Sequence, residues 1–294
     1  MTMTSFLLSF WEWEPSIIIG CIGLIVAYLL IVRSRITKKS VFYFLGVILL
    51  FLALVSPLDA ISDTYLFSAH MVQHLFFILV VPPFMLLGIP ERVFRKGMKW
   101  SFFRRTEHIL SKPLVAWSAG AGAMWIWHWP PLFNAALANE TFHAFEHLSI
   151  LVMGTIFWWV VISPFKEERM NPLYLIFYLF SACIACTILG IIITFSSVGL
   201  FPAYLNPQDV AGILPIIRDE WGFSPGVDQQ VGGLLMWVPA CLVYVSAVIG
   251  TLIRWYRTPE RDTLTIRATI GINQTAVRPE IKESKDKRTE KNHA

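Results

Sequence analysis

Charge is scarce in this chain. Asp, Glu, Lys and Arg together make up 15% of its residues, where a soluble domain carries about 25%. That shortage argues against an ordinary soluble globule. Alternating strand patterns and Asn-Gly hairpin turns do not recur, which argues against a β-barrel. Cysteine is limited to Cys21, Cys183, Cys186 and Cys241, all inside apolar segments, so no extracellular disulfide framework is indicated. The N-terminus lacks a basic leader and carries Glu12 and Glu14, which argues against a cleaved signal peptide. The formal surplus of +4 is no nucleic-acid signal, because the bases sit in particular loops and in the tail.

In place of charge the chain has long apolar runs. They predict an all-α, polytopic membrane helix bundle of about seven transmembrane helices, near residues 16–32, 40–55, 64–89, 114–128, 142–162, 172–195 and 229–253. Pro82-Pro83 should kink the third span or end its regular part. Basic segments at 33–39, 90–113 and 254–267 alternate with base-poor segments at 1–15, 56–63, 129–141 and 196–228. The positive-inside rule then puts the N-terminus outside and the C-terminus in the cytoplasm. Two parts follow: a seven-span membrane domain over 1–257, and a polar cytoplasmic tail over 258–294, expected to be disordered. The basic segment 90–113 reads as a loop that fixes topology and touches anionic lipid. Lys166-Glu-Glu-Arg169 reads as a small mixed loop. The tryptophan runs read as interface belts.

The chemistry concentrates in His70-Met-Val-Gln-His74 and His143-Ala-Phe-Glu-His147. Each places two imidazoles four residues apart, on one face of a helix. In this topology His70 and His74 lie roughly 10–15 Å from the outer start of their helix, at 1.5 Å per residue. His128 ends the fourth span on the same side, and His143 and His147 open the fifth. Five of the seven histidines therefore converge on the outer leaflet; His108 and His293 do not.

Imidazole is a ligand for zinc, copper, iron and nickel, and such a cluster can supply three or four nitrogens. Asp59, Asp63 and Glu146 can orient the rings, with Asp63 also placed to cap the next helix. Gln229 and Gln230, level with the rings, can hydrogen-bond to the site. Met71 adds a soft ligand next in sequence to His70, but helical geometry turns it about 100° away. Cys183-Ile-Ala-Cys186 has the spacing of redox and zinc motifs, yet it lies mid-span, where buried thiols usually serve packing. Gly232-Gly233 should let the last span approach a neighbour closely. The connection 196–228 shares the outer side and offers a lid or docking surface. A plainer alternative keeps the histidines as packing and interface residues of a structural assembly partner. Two further readings are a haem-binding membrane protein with paired axial histidines and a copper transporter with mid-span thiols.

Taken together, Ser56-Pro-Leu-Asp59, Tyr65-Leu-Phe-Ser-Ala-His70-Met-Val-Gln-His74, Trp127-His128-Trp-Pro130, His143-Ala-Phe-Glu-His147 and Asp228-Gln-Gln-Val-Gly-Gly-Leu-Leu-Met-Trp237-Val-Pro239 resemble the CtaG-type assembly factors of caa3-type cytochrome c oxidase. The resemblance covers about residues 15–255. It implies a multi-pass protein of the bacterial plasma membrane that helps make an active haem–copper oxidase, and that is not itself an enzyme. It implies a link to copper, bound transiently and handed to an oxidase subunit, with haem the less favoured cofactor. The candidate ligands are His70, His74, His128, His143 and His147, supported by Asp59 and Glu146. Membrane lipids are the other expected partner, and nucleic acid is not one.

Overall fold

Proline sets where many of these helices begin. It stands at the first helical position of six of them, where its missing N–H costs nothing and its fixed φ suits the helix. The computed structural model describes residues 3–33, 36–163 and 170–257, which contain no strand. In chain order the helices are α1 (Met3–Ser9), α2 (Pro15–Val32), α3 (Ser40–Val55), α4 (Pro57–Ala60), α5 (Phe67–Leu75), α6 (Val81–Gly88) and α7 (Glu91–Gly97). They continue with α8 (Ser101–Leu110), α9 (Pro113–Trp127), α10 (Pro130–Leu137), α11 (Glu140–Ile162), α12 (Pro172–Phe195) and α13 (Pro225–Arg257). Wider π-helical turns fall at Ile61–Tyr65, Phe76–Val80 and Ile216–Glu220. The loop expected at 166–169, the tail 258–294 and His293 lie outside the described residues.

Among the described residues, five helices are long and apolar enough to cross a membrane: Pro15–Val32, Phe67–Gly88, Glu140–Ile162, Pro172–Phe195 and Pro225–Tyr256. Ser40–Val55 and Pro57–Tyr65, bent by 45° at Ser56, make a sixth if taken as one broken span. The remaining expected span, at 114–128, is α9, whose 15 residues fall short of the ~20 that a bilayer needs. The basic segment 90–113 is not a plain loop. It folds into α7 and α8, and α8 leaves Phe102 exposed among Arg104 and Arg105.

The segment Phe67–Gly88 is the centre of the molecule, with α11 along one side and α3 along the other. Its prolines do not end it. Pro82 has no N–H to give the carbonyl of Ile78 four residues back. The turn Phe76–Val80 widens there, and the Trp158 indole donates to the Ile78 carbonyl at 2.8 Å. Trp158 and Trp127 are thus buried residues rather than members of an interface belt; Trp13 and Trp129 are exposed.

One turn before Trp158, Gly154 lets α11 touch the widened turn. A Cβ there would lie 2.9 Å from the Ile78 Cα. Gly154→Val should therefore lower stability by ~3 kcal/mol and spread α11 from α5, weakening any ligand that both helices share. Thermal unfolding in detergent checks this, and a wild-type midpoint would contradict it. Glycine does the same between α12 and α13, as expected for Gly232-Gly233. A Cβ on Gly233 would meet the Gly190 carbonyl at 2.8 Å.

The cysteines pair differently from their spacing. Cys183 is disulfide-bonded to Cys241, joining α12 to α13 with their Cα atoms 5.3 Å apart. Cys186 is a buried free thiol whose sulfur lies 3.9 Å from the Tyr244 hydroxyl. Two residues three apart on an unbroken helix hold their Cβ atoms about 5–6 Å apart, too far for a disulfide.

Candidate metal centre

Three helix ends bring the imidazoles together. His70 and His74 stand on α5, whose first turn is held by a residue far away in sequence. The Asp228 carboxylate, buried at the start of α13, accepts from the Phe67 N–H at 2.8 Å and the Ser68 N–H at 2.9 Å. An anion at a helix start satisfies orphan donors and complements the helix dipole. Asp63, expected in that role, instead sits in the turn Ile61–Tyr65 and points at His143, Oδ2 to Nδ1 3.5 Å.

α11 begins with the Asn139 side chain accepting from the Phe142 N–H, which sets His143, Glu146 and His147 in its first two turns. α9 stops at His128 because Trp129 precedes Pro130, and a residue before proline avoids the α conformation.

The rings form one packed group. Centroids lie 4.3 Å apart for His70–His74, 4.2 Å for His143–His147, 5.2 Å for His70–His143 and 5.4 Å for His70–His147. His74 is 5.6 Å from His147 and 5.2 Å from His128. Phe133 and Phe77 close the apolar wall, 5.1 Å from His70 and 4.9 Å from His147.

One ligand atom from each of His70, His74, Glu146 and His147 falls within 4.8 Å of the others, with His70, His74 and Glu146 buried and His147 buried to nearly the same degree. A second set, Asp63, His70 and His143, shares His70 and reaches the surface, since the Asp63 side chain is 37% exposed and that of His143 13%. Both oxygens of Glu146, both nitrogens of His70, and Nε2 of His74, His143 and His147 have no hydrogen-bond partner among the described residues. The nearest approach to Glu146 is His74 Nε2, 3.6 Å from Oε1.

Buried polar atoms are nearly always paired, so such a concentration of free lone pairs needs a cation or protons between them. The rim carries further acid. Burial first, then the carboxylates of Asp63, Glu14 and Glu140, push Glu12 above its ordinary carboxylate range.

The remaining expected residues take other positions. Asp59 accepts from Gln73 Nε2 at 2.5 Å and reaches the rings only through that residue. Gln73, fully buried one position before His74, also donates to the Ala53 carbonyl and accepts from Ser62. Its role had no signal beyond a polar residue inside an apolar helix. Gln229 shapes the turn after α12, accepting from the N–H groups of Gly199 and Leu200 and donating to the carbonyls of Ile193, Ser196 and Ser197. Gln230 is exposed.

Met71 does turn away from His70, as helical geometry requires. It meets a ring from another helix instead: its sulfur lies 3.0 Å from His128 Nε2. The connection after α12 lies over the start of α5. Tyr204 donates to the Ser62 carbonyl, Tyr65 accepts from the Ala211 N–H, and Phe201 stacks on Phe67 at 4.3 Å. Ile213, Ile217 and Phe6 bury against Tyr65 and Leu66 in a separate small core.

Relatives of this chain include an uncharacterised protein of Mycobacterium leprae, 22% identical over 212 residues, which covers 67% of this chain and 31% of that protein. Uncharacterised proteins of Mycobacterium bovis and Mycobacterium tuberculosis are each 23% identical over the same length and the same shares. The chain thus spans about a third of the length of these curated relatives. No solved structure matches. The sequence profile described as cytochrome c oxidase caa3 assembly factor matches residues 26–258, a stretch that holds every histidine of the cluster, and the chain belongs to that family.

Proposed function

We propose that this protein is a multi-pass factor of the bacterial plasma membrane that binds copper at the histidine cluster and passes it to a subunit of a haem–copper cytochrome c oxidase. The observation that carries the reading is the set of His70, His74, Glu146 and His147, buried, mutually within 4.8 Å and without other partners for the facing atoms. Imidazole with one carboxylate suits a transition metal, and membership of an assembly-factor family of a haem–copper oxidase favours copper among them.

The surface set of Asp63, His70 and His143 gives the ion a mouth, and shared His70 gives it a way inward. The acidic rim of Glu12, Glu14 and Glu140 raises the local cation concentration before capture. Haem has less to recommend it: imidazole centroids 4.2–5.4 Å apart, with Phe133 and Phe77 packed against them, leave no flat slot between them for a macrocycle.

In this reading α9 is the seventh crossing, shortened by its cap at His128, and the positive-inside rule sets the site on the outer side. No bond-making step is required of any residue; the protein binds, shelters and releases. The test is the copper content of the oxidase in membranes from cells carrying His70→Ala with His147→Ala, at unchanged levels of the variant protein. The expected result is an oxidase depleted of copper. Full copper loading with both imidazoles gone would overturn the proposal.

A further inference from the structure

His128 holds its ring by a single strong contact. Its Nδ1 lies 2.6 Å from the Met124 carbonyl of its own helix. A carbonyl only accepts, so Nδ1 carries the proton and Nε2 carries the lone pair. That lone pair faces the Met71 thioether at 3.0 Å and His74 Nδ1 at 3.4 Å. A thioether sulfur has no proton to give. Two electron-rich atoms therefore press together at 3.0 Å in a fully enclosed place, with Met71 and His74 at zero exposure and His128 at 3%. A cation between them turns that repulsion into binding. The spacings suit one: a metal about 2.0 Å from each nitrogen and about 2.3 Å from sulfur spans such gaps at ordinary angles.

We propose that Met71 Sδ, His128 Nε2 and His74 Nδ1 form a second, inner metal position, selective for Cu(I). The proposal rests on the copper reading above and deepens it. Ligand character changes along the way. The mouth has a carboxylate and two imidazoles, the middle set three imidazoles and Glu146, and the inner set two imidazoles and a thioether. Thioether sulfur favours Cu(I), while carboxylate favours harder ions, so the innermost position accepts the reduced ion and rejects the others.

His74 belongs to both inner sets, through Nε2 towards Glu146 and Nδ1 towards His128. A neutral imidazole has one ring lone pair, at one nitrogen or the other. His74 therefore serves one position at a time. With the ion in the middle set, its Nδ1–H donates to His128 Nε2. With the ion in the inner set, its Nε2–H donates to Glu146. The ring keeps one proton in either state, and the two positions hold a single ion between them.

X-ray absorption at the copper edge tests this on the purified full chain loaded anaerobically with Cu(I). The expected spectrum contains one sulfur neighbour near 2.3 Å besides nitrogen. Met71→Leu, close in volume, should lose that neighbour and weaken Cu(I) binding about tenfold or more, with Zn(II) binding at the outer sets unchanged. Zn(II)-loaded wild type should show no sulfur. A Cu(I) spectrum of the wild type without sulfur overturns the inner position and needs no variant to fold. A sulfur neighbour that persists in Met71→Leu also overturns it. In both cases bound copper leaves the assembly reading standing, whereas a wild type that binds no Cu(I) overturns both.

Discussion

Glu146→Leu is expected to make the metal-free protein more stable and to abolish Zn(II) binding at the set it shares with His70, His74 and His147. The carboxylate is fully buried, and both its oxygens lack a hydrogen-bond partner among the described residues. Without a cation it is a desolvated group facing three imidazoles, and a leucine of similar reach removes that cost. The gain should be ~1–3 kcal/mol in the absence of metal. Wild type should recover a comparable amount on loading, since a ligand at 100 times its dissociation constant adds about 2.7 kcal/mol. The variant should gain nothing. Thermal unfolding in detergent, with and without Zn(II), reads both effects at once. Destabilisation of the metal-free variant would mean that Glu146 is a structural residue. Stability bought back by mutation at the expense of binding is the pattern expected of a functional site.

Asp228→Ala should cost about 2–4 kcal/mol, the largest loss from any single polar contact near the site. The carboxylate accepts from two backbone N–H groups at the start of α5 and has 1% exposure, so water cannot replace it. Its loss should fray the turn that carries His70 and loosen metal binding as well. Asp228→Asn keeps one acceptor oxygen and should lose roughly half as much. Hydrogen exchange at the Phe67 and Ser68 amides localises the effect. Equal behaviour of the Asn and Ala variants, or unchanged exchange at those amides, would contradict the capping role.

Much of this site could be read before any coordinates. The four-residue spacing of each histidine pair fixes one face per helix, and the alternation of basic and base-poor loops puts both pairs at one depth. Those two arguments bring His70, His74, His143, His147 and His128 together, and the rings do lie within 4.2–5.6 Å of their neighbours.

What could not be read is whatever depends on a partner distant in the chain. Asp63 stands closest in sequence to the start of α5, yet Asp228, 161 positions beyond Phe67, caps it. Helical rotation sends Met71 away from His70, but says nothing of the ring that another helix brings to meet it. The Cys183–Cys241 bond likewise depends on how closely α12 and α13 approach, which Gly190 and Gly233 decide. The widened turn Phe76–Val80 is half visible: Pro82 demands a break in the hydrogen-bond ladder, but only Trp158 shows how it is satisfied.

In the proposed site, histidines of α5 and α11 together with Glu146 face a single ion. Titration of the purified chain with Zn(II), which the thioether position does not favour, in competition with a chelator of known affinity, gives the sharpest test. One tightly held ion per chain is expected, and a loss of at least about a hundredfold in affinity for His70→Ala, for His147→Ala and for the pair together, with the double loss far from additive because all three variants dismantle one site. Wild-type affinity in either single variant, or two independent ions each lost with one variant, would contradict it.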